Sequence, residues 1–498
     1  MEENAARPVT LPRDNPTLSY WQEPPADIAD LRTTASLPES ADVVIIGSGI
    51  TGAAIAWNFL ENSEDDSPRN IVMLEARQAC SGATGRNGEH AIPYVEPQAP
   101  RVGAQTTYKT LGGHTKAASY RTFLHHAKEH GTDEAVKIAK LELANIRALH
   151  AFAREHAIEC DSHPCETVDI VYDAVQWGED KRAVQAMRDA IPGHAASEYG
   201  LHTADQVRDK FYCGKGGDEN IAGGVSYGAG SISSYRLVIG ILKLCMERGL
   251  NLQTNTPVLN LEKIADGDSS SWRLETERGA ITAQKVILAT NGYTAHLLDQ
   301  FEDVIVPLRG HVTAQRPGQN MPPNGLPVTY SFIHNDSYDY MIPRPPGSRF
   351  EGDIVIGGGL HNLSDGGASE YGTTDDTGFN GVIAESLREC LPDYFGDNWG
   401  KDHPDGRIRR AWTGIMGYSP DGCPFVGAVP GAENLWMAAS FQGHGMVLCW
   451  MCAKALTAMV DGRDDEELKQ WFPDAFRVKE ERLKQAFRGA LHMRADES

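Results

Sequence analysis

Positive charge, regularly spaced cysteine and long hydrophobic runs are what this 498-residue sequence has little of. Lys and Arg number 46 against 68 Asp and Glu, leaving a formal net charge of −22. So acidic a chain argues against nucleic acid or an anionic membrane surface as partner. The most apolar stretch, Met446 to Val460, is too short to span a bilayer and contains Lys454. Nine cysteines without regular spacing give no disulfide framework and point to a reducing, cytoplasmic setting. Cys160 and Cys165 flank His163, but no second ligand pair follows at zinc-site spacing, so the segment reads as a loop. His125, His126 and His130 read as solvated helix histidines, and no metal is expected. Residues 1–40 are polar and dotted with Pro8, Pro12, Pro16, Pro24, Pro25 and Pro38, an extended arm rather than an apolar leader. Ser19-Tyr20-Trp21 is its one adhesive point. No repeat or low-complexity tract is present, and the length suggests two or three domains.

What is there is organised around Ala41 to Gly52, ADVVIIGSGITG. Val43 to Ile46 is a short β-branched run, the pattern of a strand buried on both faces. It enters Gly47-Ser48-Gly49-Ile50-Thr51-Gly52, a G-x-G-x-x-G turn, and then an Ala-rich helix from Ala53 to Leu60. In such a unit the first glycine makes the tight turn, the second admits a pyrophosphate, and the third packs helix on strand. The helix N-terminus offers free N–H groups and a positive dipole end to phosphate. A second strand, Ile71 to Leu74, delivers Glu75, where a carboxylate binds ribose hydroxyls. Strand, turn, helix, strand and acid in that order predict dinucleotide binding and an α/β fold.

Beyond Glu75-Ala76-Arg77 the small residues Ser81-Gly82-Ala83-Thr84-Gly85-Arg86-Asn87-Gly88, followed by His90, favour close backbone approach to a ligand. Further on, Thr115 to His156 and Asp180 to Ile191 carry helical periodicity, and Val168 to Tyr172 reads as a strand. Tyr235 to Arg248 is a helix pattern closed by Gly249. Asn255-Thr256-Pro257-Val258 and the strand Lys285 to Ala289, leading into Thr290-Asn291-Gly292, come next. The segments PLRGHVTAQRP from Pro307, YDYMIPRP from Tyr338 and DIVIGGG from Asp353 alternate as half-buried antiparallel strands. WTGIMGYSPDGCPFVG from Trp412 and SFQGHGM ending at Met446 precede a last apolar helix, in which Cys449 and Cys452 read as core.

Together these motifs resemble the FAD-dependent oxidoreductases related to D-amino-acid oxidase, glycine oxidase, sarcosine oxidase and γ-glutamylputrescine oxidase, over roughly residues 41–462. The resemblance implies an interrupted Rossmann-like FAD-binding domain and a second α+β substrate domain with a mixed or antiparallel sheet. The boundaries it suggests are an arm at 1–40, the FAD domain at 41–100, 229–300 and 408–462, the helical and substrate domain at 101–228 and 301–407, and a helical tail at 463–498. FAD contacts are expected from the 47–52 turn, Glu75 to Arg77, Ser81, Gly82, Thr84 to Gly88, Val258, Ala289 to Gly292, Gly414, and Gly443-His444-Gly445-Met446. His444, Tyr340, Arg309, Arg344 and His90 are expected to face the substrate, with Tyr340 matching a substrate-contacting tyrosine of the family.

The implied reaction is oxidation of a C–N bond in an amine, secondary amine or amino-acid-like molecule by hydride transfer to flavin N5. Imine hydrolysis follows, and O2 serves as the acceptor, giving hydrogen peroxide. Three positions depart from the family pattern. Gly414 stands where a flavin-linked cysteine occurs, Met416 where an arginine binds the substrate carboxylate, and Val355 where a lysine activates oxygen. Non-covalent FAD is therefore expected, with Cys80 the alternative anchor, and larger amines gain over simple amino acids. Two other readings stay open, an NAD(P)H-dependent flavin monooxygenase and a non-catalytic flavoprotein.

Overall fold

Four apolar residues in a row, Val43 to Ile46, are buried on both faces because strands flank them on each side. In the computed structural model, which describes residues 8–61, 69–87, 114–214, 220–266, 269–334 and 337–487, this strand (Ser40–Ile46) lies at the centre of the first of two sheets. Gly279–Leu288 and Ile71–Leu74 pair with it in parallel, Leu435–Ala439 and Asn251–Gln253 extend the parallel core, and Phe425–Ala428 adds an antiparallel edge. Val258–Asp266 and Ser269–Thr276 form an antiparallel flap on the Gly279–Leu288 strand. The helix Ile50–Glu61 is apolar almost all round because helices Ser234–Glu247 and Gly445–Val460 pack against it. This is the doubly covered parallel sheet that the opening motif implies.

The second sheet has the strand order Ile408–Tyr418, Val306–Gln315, Ile354–Gly357, Ser337–Pro343, Thr329–His334, His163–Val171, Gly223–Ser231 and His114–Lys116, with Gly200–Thr203 beside Gly223–Ser231. It is mixed, since Thr329–His334 runs parallel to His163–Val171 while its other pairings are antiparallel. Helices Tyr120–His130, Ala174–Ala190 and Gly381–Phe395 accompany this sheet, while Thr132–Glu155 packs against both Tyr120–His130 and the Gly445–Val460 helix of the first half. Two sheets with helices packed on them give the mixed α/β, two-domain architecture expected from the sequence.

Differences from the sequence reading are local. Ile408–Tyr418, grouped above with the FAD domain, hydrogen-bonds along its length to Val306–Gln315 in the second sheet. His163 to Cys165, read as loop, opens a strand, because Gly223–Ser231 supplies a partner through Ser231. The charged tail folds as short pieces, Glu466–Trp471 and Glu480–Leu483, pinned where Arg482 pairs with Asp421 at 2.6 Å.

Candidate functional site

Gly47 sits at φ +107°, and a Cβ there would lie 2.6 Å from the Ala289 carbonyl oxygen. At Gly52 a Cβ would lie 2.0 Å from the Gly47 carbonyl, so the turn and the first helical turn close only on glycine. Glu75 fixes the same turn from the neighbouring strand. One carboxylate oxygen accepts from the Ser48 N–H at 3.0 Å and the Ser48 hydroxyl at 2.6 Å, and the other accepts from the Arg77 N–H at 3.0 Å. The Ser48 hydroxyl in turn accepts from the Cys80 N–H at 2.9 Å, which ties the 81–87 segment to the turn.

These strand ends border one cavity. Of the residues expected to touch FAD, 47–51, 75–77 and 289–291 line it, as do Gly82, Thr84, Arg86, Asn87, Val258, Gly414, Gly443, Gly445 and Met446. Gly52, Ser81, Gly85, Gly292 and His444 do not line it. Gly292 and Gly85 serve close backbone packing, since a Cβ would lie 2.3 Å from the Met416 carbonyl at Gly292 and 2.0 Å from the Cys80 carbonyl at Gly85. Gly88 and His90 lie outside the described residues. The N-termini of two helices, Ile50–Glu61 and Gly445–Val460, meet the cavity wall, so backbone N–H groups and positive dipole ends face the same space.

Arg77 and Arg86, the two guanidinium-bearing residues in the lining, share Asp376. Arg77 reaches it at 3.0 Å and Arg86 at 3.7 Å, and Asp376 is fully buried. Burial pushes the Arg86 guanidinium down to about 10, with Asp376 pulling the other way. Sequence reading missed Leu11, Pro12, Tyr293, His296, Leu297, Gly310, Phe441 and Cys449, all of which line the cavity. Leu11 and Pro12 come from the arm, where nothing in the sequence marks a ligand. Cys449, assigned to packing, accepts a hydrogen bond from the Thr51 hydroxyl at 3.1 Å. Cys80 is buried off the cavity, and desolvation pushes its thiol well above the ordinary range.

Strand register shows what faces this space from above. Gly310 pairs with Gly414, and both line the cavity. Two residues along, Trp412, Val312, Gly357, Tyr340, Ser331 and Asp169 form one row across six strands. Directly opposed residues project from one face, so Tyr340 shares the face of Gly310 and Gly414. It is fully buried beside Tyr338, Ile333 and Val171 and is not part of the cavity wall.

The other three candidates also stand off the wall. Arg309, adjacent to Gly310, alternates to the opposite face and is held by Glu370 at 2.6 Å and the Asp375 carbonyl at 3.1 Å. Arg344 pairs with Asp161 at 2.5 Å and stacks over Trp21. His444 is buried at the start of the Gly445–Val460 helix, with Nδ1 3.4 Å from the Gln442 carbonyl oxygen. Local motif spacing brought these residues near the site but could not fix the strand face or the ion partner.

On the same row, Asp169 anchors a buried ion cluster that the sequence did not reveal. Lys116 and Arg121 both pair with it, Tyr120 and Tyr227 each donate to it at 2.8 Å, and Lys116 also donates to Ser331 at 2.6 Å. Desolvation brings the Lys116 amine down to about 7. The Asp169 carboxyl is held at about 2, where the charges of Arg121 and Lys116 overcome its burial.

Residues 42–459 match the family of FAD dependent oxidoreductases that includes D-amino-acid oxidase. The chain belongs to this family. Among curated proteins it is similar to the probable oxidoreductase OrdL of Rhizobium meliloti, 25% identical over 431 residues that cover 86% of this chain and 84% of that one. OrdL of Haemophilus influenzae is 22% identical over 442 residues, covering 86% of this chain and 85% of its own. Among solved structures the fold resembles glycine oxidase from Geobacillus kaustophilus, with a TM-score of 0.62 at 18% identity over 86% of this chain and 96% of that one. L-proline dehydrogenase from P. horikoshii superposes with a TM-score of 0.61 at 16% identity, covering 88% and 98%. The protein is an FAD-dependent oxidoreductase with a two-domain FAD-binding fold. Among the described residues no helix is long and apolar enough to cross a membrane.

Proposed function

We propose that the chain oxidises a C–N bond of an amine, secondary amine or amino-acid-like substrate, with FAD held in the glycine-lined cavity. The observation that carries this reading is the convergence of three segments on one cavity: 47–51, then 75–77 with 82–84, Arg86 and Asn87, and Gly443 with Gly445 and Met446. FAD, when bound, supplies the hydride acceptor for C–N oxidation, and O2 is the proposed final acceptor.

The residues present fit that group. Glu75 keeps its carboxylate at the cavity edge while bracing the turn, which suits it to ribose hydroxyls. The N-termini of the Ile50–Glu61 and Gly445–Val460 helices provide backbone donors for phosphate and for negative charge developing near the flavin. Gly414 suits a non-covalent cofactor, because glycine offers no thiol to form a bond with the flavin. Acid precipitation should accordingly release all the flavin colour into the supernatant.

The substrate side is read from the second sheet. Tyr340 is proposed to meet the substrate, since the register sets it on the face of Gly310 and Gly414. His444 is proposed to position the start of the Gly445–Val460 helix and to tune protons near it. Arg309 and Arg344 are assigned to holding that sheet in place, because both are taken up by carboxylates of the protein. Met416 lines the cavity where an arginine would bind a carboxylate, which favours amines without an α-carboxylate handle. Anaerobic mixing with an amine panel tests the reading. Bleaching of the visible flavin band by at least one amine supports it, whereas reduction by NADPH alone would transfer the protein to the monooxygenase class.

A further inference from the structure

We propose that the N-terminal arm, residues 9–21, is a clasp that closes the FAD cavity and sets the rate at which the cofactor leaves. The proposal rests on reading the glycine-lined cavity as the FAD site. The family match starts at residue 42, so the arm lies outside the matched residues. Leu11 and Pro12 are nevertheless part of the cavity wall, together with Tyr293, His296 and Leu297.

The arm is tied on both sides of that wall. On the first-sheet side, His296 Nδ1 lies 3.3 Å from the Val9 carbonyl oxygen and Arg77 donates to the Arg13 carbonyl at 3.0 Å. Arg86 donates to the Thr17 carbonyl at 2.7 Å, Ser19 donates to the Gly85 carbonyl at 2.7 Å, and Trp21 donates to the Asn87 carbonyl at 2.7 Å. On the second-sheet side the Thr10 and Thr374 hydroxyls are 2.5 Å apart. The Thr17 N–H donates to the Asp376 carbonyl at 2.8 Å, and the Thr17 hydroxyl accepts from the Thr413 N–H at 2.9 Å. Tyr20 and Trp21, both buried, anchor the far end.

Two cations of the cavity lining, Arg77 and Arg86, thus take arm carbonyls as acceptors. Release of the arm would strip the wall of Leu11 and Pro12 and leave both guanidiniums short of a partner at the same time. Pro12 and Pro16 narrow the conformations the free arm samples, which lowers the entropic cost of docking it. A ligand in the cavity is therefore covered by a segment that must detach before it escapes, and the effect falls on the dissociation rate.

The experiment follows FAD release from the full-length holoenzyme by the rise of free-flavin fluorescence after dilution. A chain lacking residues 1–15 should release FAD roughly tenfold faster or more, in line with affinity differences residing mainly in dissociation rates. The Thr10→Cys/Thr374→Cys double variant provides the converse, because hydroxyls this close place two sulfurs within reach of a bond. Its oxidised form should release FAD more slowly than the parent, and reduction should restore the parent rate. Parent-like release from the oxidised double variant overturns the clasp, also where the shortened chain does not fold. Weakened FAD binding in Glu75→Ala combined with unchanged release from the shortened chain overturns the clasp and leaves the cavity assignment standing. Parent-like binding in Glu75→Ala with unchanged release removes both.

Discussion

Around the cavity the chain presents glycine turns, two helix N-termini and strand ends, with Glu75 as brace, set among side chains such as Arg77, Tyr293 and Phe441. Around Asp169 it presents mostly side chains, Lys116, Arg121, Tyr120, Tyr227 and Ser331, packed without solvent on the same sheet face. The first region is shaped to leave space and the second to fill it. Backbone N–H groups and helix dipoles recruit ligand charge without placing a charged side chain in the site. A buried ion cluster must compensate each charge internally and therefore acts on stability.

The largest expected effect separates the two regions. Asp169→Ala leaves two buried cations uncompensated and should lower stability by about 3–5 kcal/mol, read from the denaturation midpoint of holo protein. Asp169→Asn, which keeps the packing volume, should leave FAD affinity near the parent value. A cluster variant that loses FAD while remaining folded would break the division.

Next is Glu75→Ala. It removes a charge-assisted contact worth about 1.5–3 kcal/mol, so FAD affinity should fall roughly ten- to a hundredfold. An unchanged dissociation constant would reduce Glu75 to a brace for Ser48. Tyr340→Phe is smaller. If Tyr340 meets the substrate, anaerobic flavin reduction should slow roughly tenfold with FAD content unchanged, since a contact made only in the transition state lowers the rate without loosening binding. Parent-like reduction would return Tyr340 to packing.

A further effect is a change of slope with pH. Burial raises the Asp180 carboxyl to about 7, against a hydrogen bond from Gln176 and the charge of Arg121. The folded chain therefore keeps a proton that the unfolded chain releases near pH 4. The associated stability is present below about pH 4 and is lost as pH rises to about 7. Asp180→Asn should remove that loss, so melting curves of the two proteins should diverge between about pH 4 and pH 7. Parallel curves would contradict the assignment.

The same contrast explains what could be read from sequence. Gly47 to Glu75 is legible because turn, helix and strand are contiguous and each step has its own residue chemistry. Ala289 to Asn291 and Gly443 to Met446 are likewise short segments that carry their own signal. The Asp169 cluster unites residues from four separated stretches, and nothing in any one of them marks a partner. Arg309 and Arg344 stand beside motifs that point to the site. The strand face and the carboxylates Glu370 and Asp161 are properties of the fold, not of the motif. Leu11 and Pro12 were hidden for the same reason, and the proline-rich arm gave only an extended chain with an anchor at Tyr20 and Trp21.

The most direct test is a crystal structure of the FAD-loaded protein. The pyrophosphate is expected on the backbone N–H groups at the start of the Ile50–Glu61 helix, the ribose at Glu75, and the flavin beneath Gly310 and Gly414. Cofactor density elsewhere, or a pyrophosphate held by side chains away from the 47–51 turn, would contradict it.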